Sequence, residues 1–172
     1  RGNSSLTISG VKRQKAYNSC MSGLHYVWGE LELNQTWGAG GFPNGRHTFR
    51  YPSSSPKLIV TVRGDRDDPF NFDTNYVEGE LLDTGEKFRL IMINNLQNRA
   101  VIEDSPLGPV PGRSARIEVS GEASGSQLVL SSILRKKPFV DYSALSNLDM
   151  NVALEDNGAH EKAWKVRSKD PY

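Results

Sequence analysis

The stretch HYVWGELEL, residues 25–33, alternates in a way that bears on the class of the whole fold. Period two places Val27, Gly29, Leu31 and Leu33 on one side and Tyr26, Trp28, Glu30 and Glu32 on the other, the pattern of a half-buried strand. Working outward, the same texture recurs in KLIVTVR (57–63), YVEGELL (76–82), KFRLIMIN (87–94), SARIEVSG (114–121) and SQLVLSSIL (126–134). Each run is rich in β-branched or aromatic residues and is bounded by turn formers. Asp83-Thr84-Gly85-Glu86 joins two of them and predicts a hairpin over 76–94, and Gly121 to Gly125 does the same for 114–134. Pro106, Pro109 and Pro111, in SPLGPVPG (105–112), break any element there and mark a long surface connection.

Short strands at this spacing, without helical patterns between them, predict an all-β fold, an antiparallel β-sandwich or barrel, with the sandwich preferred. The expected organisation is a β-sandwich domain over 1–137 and a C-terminal extension, 138–172, packed on the same domain. In that extension alternation weakens, and it reads either as a final strand pair or as a segment wrapped over the sheet, with 143–154 open to helix or strand.

Composition narrows the function classes. With 172 residues the chain can bury roughly 70% of its unfolded surface and fold without staples. A net charge of +1 supplies no field for nucleic acid, which is not an expected partner. The apolar runs fall far short of a membrane-spanning helix. One cysteine, Cys20, rules out an internal disulfide and reads as a small buried hydrophobe. The first residue, Arg1 rather than Met, fits a removed signal peptide, and Asn3-Ser4-Ser5 and Asn34-Gln35-Thr36 match the glycosylation acceptor pattern, so a secreted protein is expected.

No residue set announces a reaction. His25, His47 and His160 lack metal-pair spacing, no nucleophile elbow occurs, and Asp65, Asp67, Asp68 and Asp73 lie in a loop without the calcium-binding pattern. A non-enzyme without cofactor or metal is the expectation. The aromatics carry the remaining signal. TWGAGGFPNGRH (36–47) sets Trp37 and Phe42 among glycines beside Arg46 and His47; Arg50 and Tyr51 follow, and Phe70, Phe72 and Tyr76 crowd the acidic loop. Loops are mostly exposed, so such aromatics belong to a satellite core, a ligand site or a membrane interface. On the recognition reading Trp37, Phe42, Arg46, Arg50, Tyr51 and Phe70 form a face in which rings enter the lipid headgroup zone and arginines meet phosphate. The same rings can stack on sugars, so a lectin-like carbohydrate-binding module is the alternative, and a structural domain such as a viral coat piece or pathogen effector is a third.

Several segments taken in order resemble the aegerolysins, small secreted lipid-binding β-sandwich proteins. Val27-Trp28-Gly29-Glu30-Leu31 is similar to the family's Trp-Gly strand, and Val62 to Asp67 stands where members carry a Cys-Gly-Arg-x-Asp run. Val77 to Asp83 resembles the Glu-Gly strand, Lys87 and Arg89 follow at a similar distance, and Ile117 to Gly121 with Leu128 to Leu134 resemble the closing strands. Arg63 replaces the family's cysteine, and Asn94 to Asn98 replaces its tryptophan-rich segment. The resemblance spans about residues 5–137. It implies binding to sphingolipid-type headgroups, no covalent chemistry, and recruitment of a larger pore-forming partner in a cytolytic, toxin-like role.

Overall fold

The computed structural model describes residues 3–50, 57–136, 148–155 and 162–165. One helix, α1 (Asn3–Leu33), precedes eight strands: β1 (Gly45–Arg50), β2 (Lys57–Arg63), β3 (Tyr76–Leu81), β4 (Lys87–Asn94), β5 (Ser114–Ala123), β6 (Ser126–Lys136), β7 (Leu148–Glu155) and β8 (Lys162–Lys165). The strands form a single sheet in chain order, every neighbouring pair antiparallel. The expected antiparallel, mostly β architecture is therefore present, and β2 to β6 fall where the alternation placed them. Strands β7 and β8 extend the sheet beyond β6; the remainder of 138–172 lies outside the described residues.

The turns follow their chemistry. In the β3–β4 hairpin the Gly85 amide donates to the Leu81 carbonyl and the Leu81 amide to the Glu86 carbonyl. The β5–β6 hairpin turns on Ser124 (φ 52°) and Gly125 (φ 78°), the left-handed pair that a tight two-residue connection requires. Between β4 and β5 the chain makes the expected long connection, pinned by a bridge between Ile102 and Val110.

The segment 25–33 is the main correction: it is the last part of α1, not a strand. Val27 and Leu31 are four apart, a spacing that satisfies both period two and a helical face. The helical stripe continues upstream through Leu24, Cys20 and Ala16, all essentially inaccessible. Gly29 and Leu33, which only the strand pattern would bury, are exposed, Leu33 by 87%. Thirty-one residues at 1.5 Å each give a helix about 46 Å long, which lies over the inner face of β3, β4, β5 and β6.

That inner face is built from the alternate residues Val60, Val62, Val77, Phe88, Leu90, Ile117, Val119, Leu128 and Leu130, packed with the α1 stripe into one core. Small residues let the two layers approach. Phe88 is paired across the ladder with Gly79 on one side and Gly121 on the other, and its ring occupies the space a side chain at Gly79 would need. Gly23 of α1 meets the same ring: a Cβ there would lie 2.8 Å from Phe88 Cδ2. Gly121 sits directly under α1, where a Cβ would collide with the Ala16 carbonyl and lie 2.6 Å from Cys20 Sγ. Polar contacts fix the register. Ser19 Oγ donates to the Lys87 carbonyl at 2.5 Å and the Cys20 thiol to the Leu128 carbonyl at 3.4 Å. Burial pushes the Cys20 thiol up to about 12, against a smaller lowering by the Cys20 and Gly121 amides.

Two measurements check this packing. Gly121→Ala is expected to lose about 1–3 kcal/mol in urea denaturation because α1 must lift from the sheet. By contrast, Gly10→Ala on the open side of α1, with nothing within 4 Å, is expected to gain up to about 1 kcal/mol. For Cys20, the raised value means that only the neutral thiol is compatible with the fold. Its contribution is whole below the ordinary value of 9.0 and is lost as pH climbs toward 12, so the urea midpoint of the native protein should fall faster over that window than that of Cys20→Ala.

Candidate binding site

Across β2 to β5 the sheet's outer face carries most of the polar residues of the alternation. Register places Arg46, Thr61, Glu78, Arg89 and Ser120 in one row across β1 to β5. A second row runs Ile59, Glu80, Lys87, Glu122 and Gln127 across β2 to β6. With strands roughly 4.8 Å apart, each row is about 19 Å long. Together with Leu82 these side chains line a shallow groove of about 500 Å³.

Three cations (Arg46, Lys87, Arg89) face three carboxylates (Glu78, Glu80, Glu122) in this groove. The balance disfavours a simple polyanion and suits a ligand that carries both signs. Arg89 is the most firmly held. Its Nη2 donates to the Phe72 carbonyl at 3.0 Å, and its guanidinium lies 4.2 Å from the centre of the Tyr76 ring. Lys87 Nζ is 3.7 Å from Glu80 Oε1, an exposed pair worth at most about 1 kcal/mol. These charges are therefore available to a ligand at small cost.

The acidic loop between β2 and β3 abuts Arg89 through Phe72. Asn75, buried in its middle, organises it: the Asp65 amide donates to Asn75 Oδ1 at 2.8 Å, and Asn75 Nδ2 donates to the Asp68 carbonyl at 2.8 Å. Asn44 and Gly64 exchange two hydrogen bonds and tie the loop to the start of β1. Asp65 Oδ1 caps the Asp67 amide. Among the described residues no cluster of His, Cys, Asp or Glu could hold a metal ion, and no helix is long and apolar enough to cross a membrane.

Of the six residues expected to form a recognition face, Trp37, Phe42, Arg46 and Phe70 have described side chains, and these four are not brought together as one rim. Trp37 and Phe42 belong to the core, 8% and 3% exposed, with ring centres 4.9 Å apart. The expectation that these rings protrude is corrected: the satellite-core alternative describes them, and the core is the main one. Gly38, Gly40 and Gly41, all with positive φ, fold the chain back so that both rings point inward. Asn94 Nδ2 clamps the turn by donating to the carbonyls of Gln35 and Trp37. Arg46 and Arg50 lie on strand β1 rather than in a loop. Arg46 is exposed and lines the groove, and Phe70 is 43% exposed on the acidic loop. Tyr51 lies outside the described residues.

Beneath β1 a second aromatic group gathers around Tyr26 of α1. Its ring meets Trp37 and Phe49 edge-on at 6.0 Å each and His47 at 6.4 Å. Burial, and then the negative charge of Glu30 one turn along, hold the Tyr26 phenol above its ordinary ionisation range, so it stays neutral. Phe49 is 40% exposed.

Sequence reasoning missed Glu78, Glu80, Glu122, Asn75 and Asn95 as organisers. The glutamates were visible as the polar alternates of correctly placed strands. Asn95, 1% exposed, donates to the carbonyls of Ala100, Val110 and Pro111 and so holds the proline-rich connection, which no short motif signals. Searches against protein-family models, curated proteins and solved structures found no match to the chain.

The buried position of Trp37 sets a clear expectation. Trp37→Ala should lose about 3–5 kcal/mol in denaturation, whereas the milder Trp37→Phe should leave ligand binding at the wild-type level in any assay of the outer face.

Proposed function

We propose that the protein is a non-catalytic recognition module, secreted, for a membrane lipid with a zwitterionic, sphingolipid-type headgroup, and that the outer groove receives that headgroup. The observation that carries the reading is the balanced charge of the groove, with Arg46 and a braced Arg89 set among Glu78, Glu80 and Glu122. Phosphate would lie on the guanidinium groups, which offer a forked set of donors, and the cationic end of the headgroup against the carboxylates. Recruitment of a larger pore-forming partner belongs to the same reading.

The energetics ask for more than charge. Exposed ion pairs contribute about 0–1 kcal/mol each, so a headgroup held by three or four contacts binds weakly. Phe70 on the adjoining loop and Leu82 in the groove are 43% and 47% exposed. Burying either fully contributes on the order of 1.5–3 kcal/mol, enough to turn weak contact into retention at a bilayer.

The test is co-sedimentation with phosphatidylcholine vesicles, with and without sphingomyelin, and with phosphatidylserine vesicles, using free phosphocholine as competitor. The expected result is sphingomyelin-dependent pelleting that phosphocholine reduces. The double variant Arg46→Ala/Arg89→Ala should weaken it about tenfold, near 1.4 kcal/mol, while Val101→Ser leaves it unchanged. Absence of binding to every vesicle, or full binding by the double variant, overturns the reading. Retention on a glycan array would replace lipid by sugar.

A further inference from the structure

We infer that Asn34 is an acceptor for an N-linked glycan. The inference shares with the reading above only the premise of export. Asn34-Gln35-Thr36 fits the acceptor pattern, and its geometry supplies what the three letters alone do not.

Helix α1 ends at Leu33, and the Asn34 amide closes its last turn by donating to the Glu30 carbonyl at 2.8 Å. The Asn34 side chain then folds over the next two residues. Its Oδ1 accepts from the Thr36 amide at 3.0 Å and from the Thr36 hydroxyl at 2.7 Å. Both contacts close within three residues, so the turn forms in a short length of chain and does not wait for the sheet. Asn34 and Thr36 are both exposed. The residue between them is tied to the body through the Gln35 carbonyl, which accepts from Asn94 Nδ2 at 2.9 Å. The acceptor amide is thus presented outward on an anchored turn.

The transfer needs a host oligosaccharyltransferase and a lipid-diphosphate-linked oligosaccharide. A bond forms between Asn34 Nδ2 and the sugar's C1, the bond from C1 to the diphosphate oxygen breaks, and the lipid diphosphate leaves with that electron pair while Nδ2 gives up one proton. No oxidant or reductant is involved. The glycan would project from the end of α1, the layer opposite the outer groove, and would leave headgroup binding free.

The test is expression of the full chain behind a cleavable signal peptide in a eukaryotic secretory host, with peptide mass mapping of the product. The expected result is a glycan on Asn34, removed by the amidase that leaves aspartate at the linkage. Thr36→Ala keeps the asparagine and should abolish the glycan, whereas Thr36→Ser should retain part of it. A secreted, folded product with an unmodified Asn34, or a glycan that survives Thr36→Ala, overturns the assignment. Lipid binding measured on the same samples reports on the groove separately: loss of the glycan with binding intact, or the reverse, tells the two readings apart.

Discussion

The close approach of α1 to β4 and β5 is the constraint from which the rest of the molecule follows. A helix can rest on a sheet at ordinary distance with large side chains between them. Here Ala16, Cys20 and Gly23 face Phe88 and Gly121, so the backbones nearly touch at Gly121 and one aromatic ring fills the space that Gly23 and Gly79 leave. Interiors are packed at crystal-like density, which makes such a contact intolerant of any added atom. The contact also orients the sheet: with the helix covering one face, the alternation of β2 to β5 sends most of its polar residues to the other. The outer groove is a by-product of that packing, assembled from residues that take no part in it.

Much of the fold was legible because the strands obey local rules. Alternation, β-branched content and turn residues put β2 to β6 at or near their observed bounds, since each strand has one buried and one wet face. The helix escaped because its decisive residues are ambiguous. Val27 and Leu31 fit both periods, Trp28 and Tyr26 favour strands by type, and the residues that settle the matter, Ala16, Cys20 and Gly23, are too small to register as an apolar stripe. They are small because the sheet comes so close, a tertiary fact with no local signature. The aromatic turn misled for a related reason. Glycine and proline mark 36–45 as irregular backbone, but they do not say that Asn94, far along the chain, pulls the turn inward and buries Trp37 and Phe42.

The site was legible only in part. Arg46 was singled out beside aromatics and has its place on the outer face, though with different neighbours. Its companions in the row come from four other strands, and only the strand register brings Arg46, Thr61, Glu78, Arg89 and Ser120 into line. Groups that meet through pairing cannot be found by spacing. A polar residue on the wet face of a strand looks the same whether it joins a groove or merely keeps the surface solvated.

The strand order has a kinetic consequence. Each strand pairs with the one before it, so the sheet can grow by successive hairpins with low loop-closure cost, the regime of fast folding. The helix does not share that economy. Cys20 meets Val119 across 99 positions of chain, which a ribosome adds in roughly 5–20 s. During that interval the apolar stripe of α1 has been synthesised but its seat has not. A nascent chain of this protein must therefore carry the small-residue stripe of α1 uncovered until β5 arrives, and its docking is the step at which the core becomes dry.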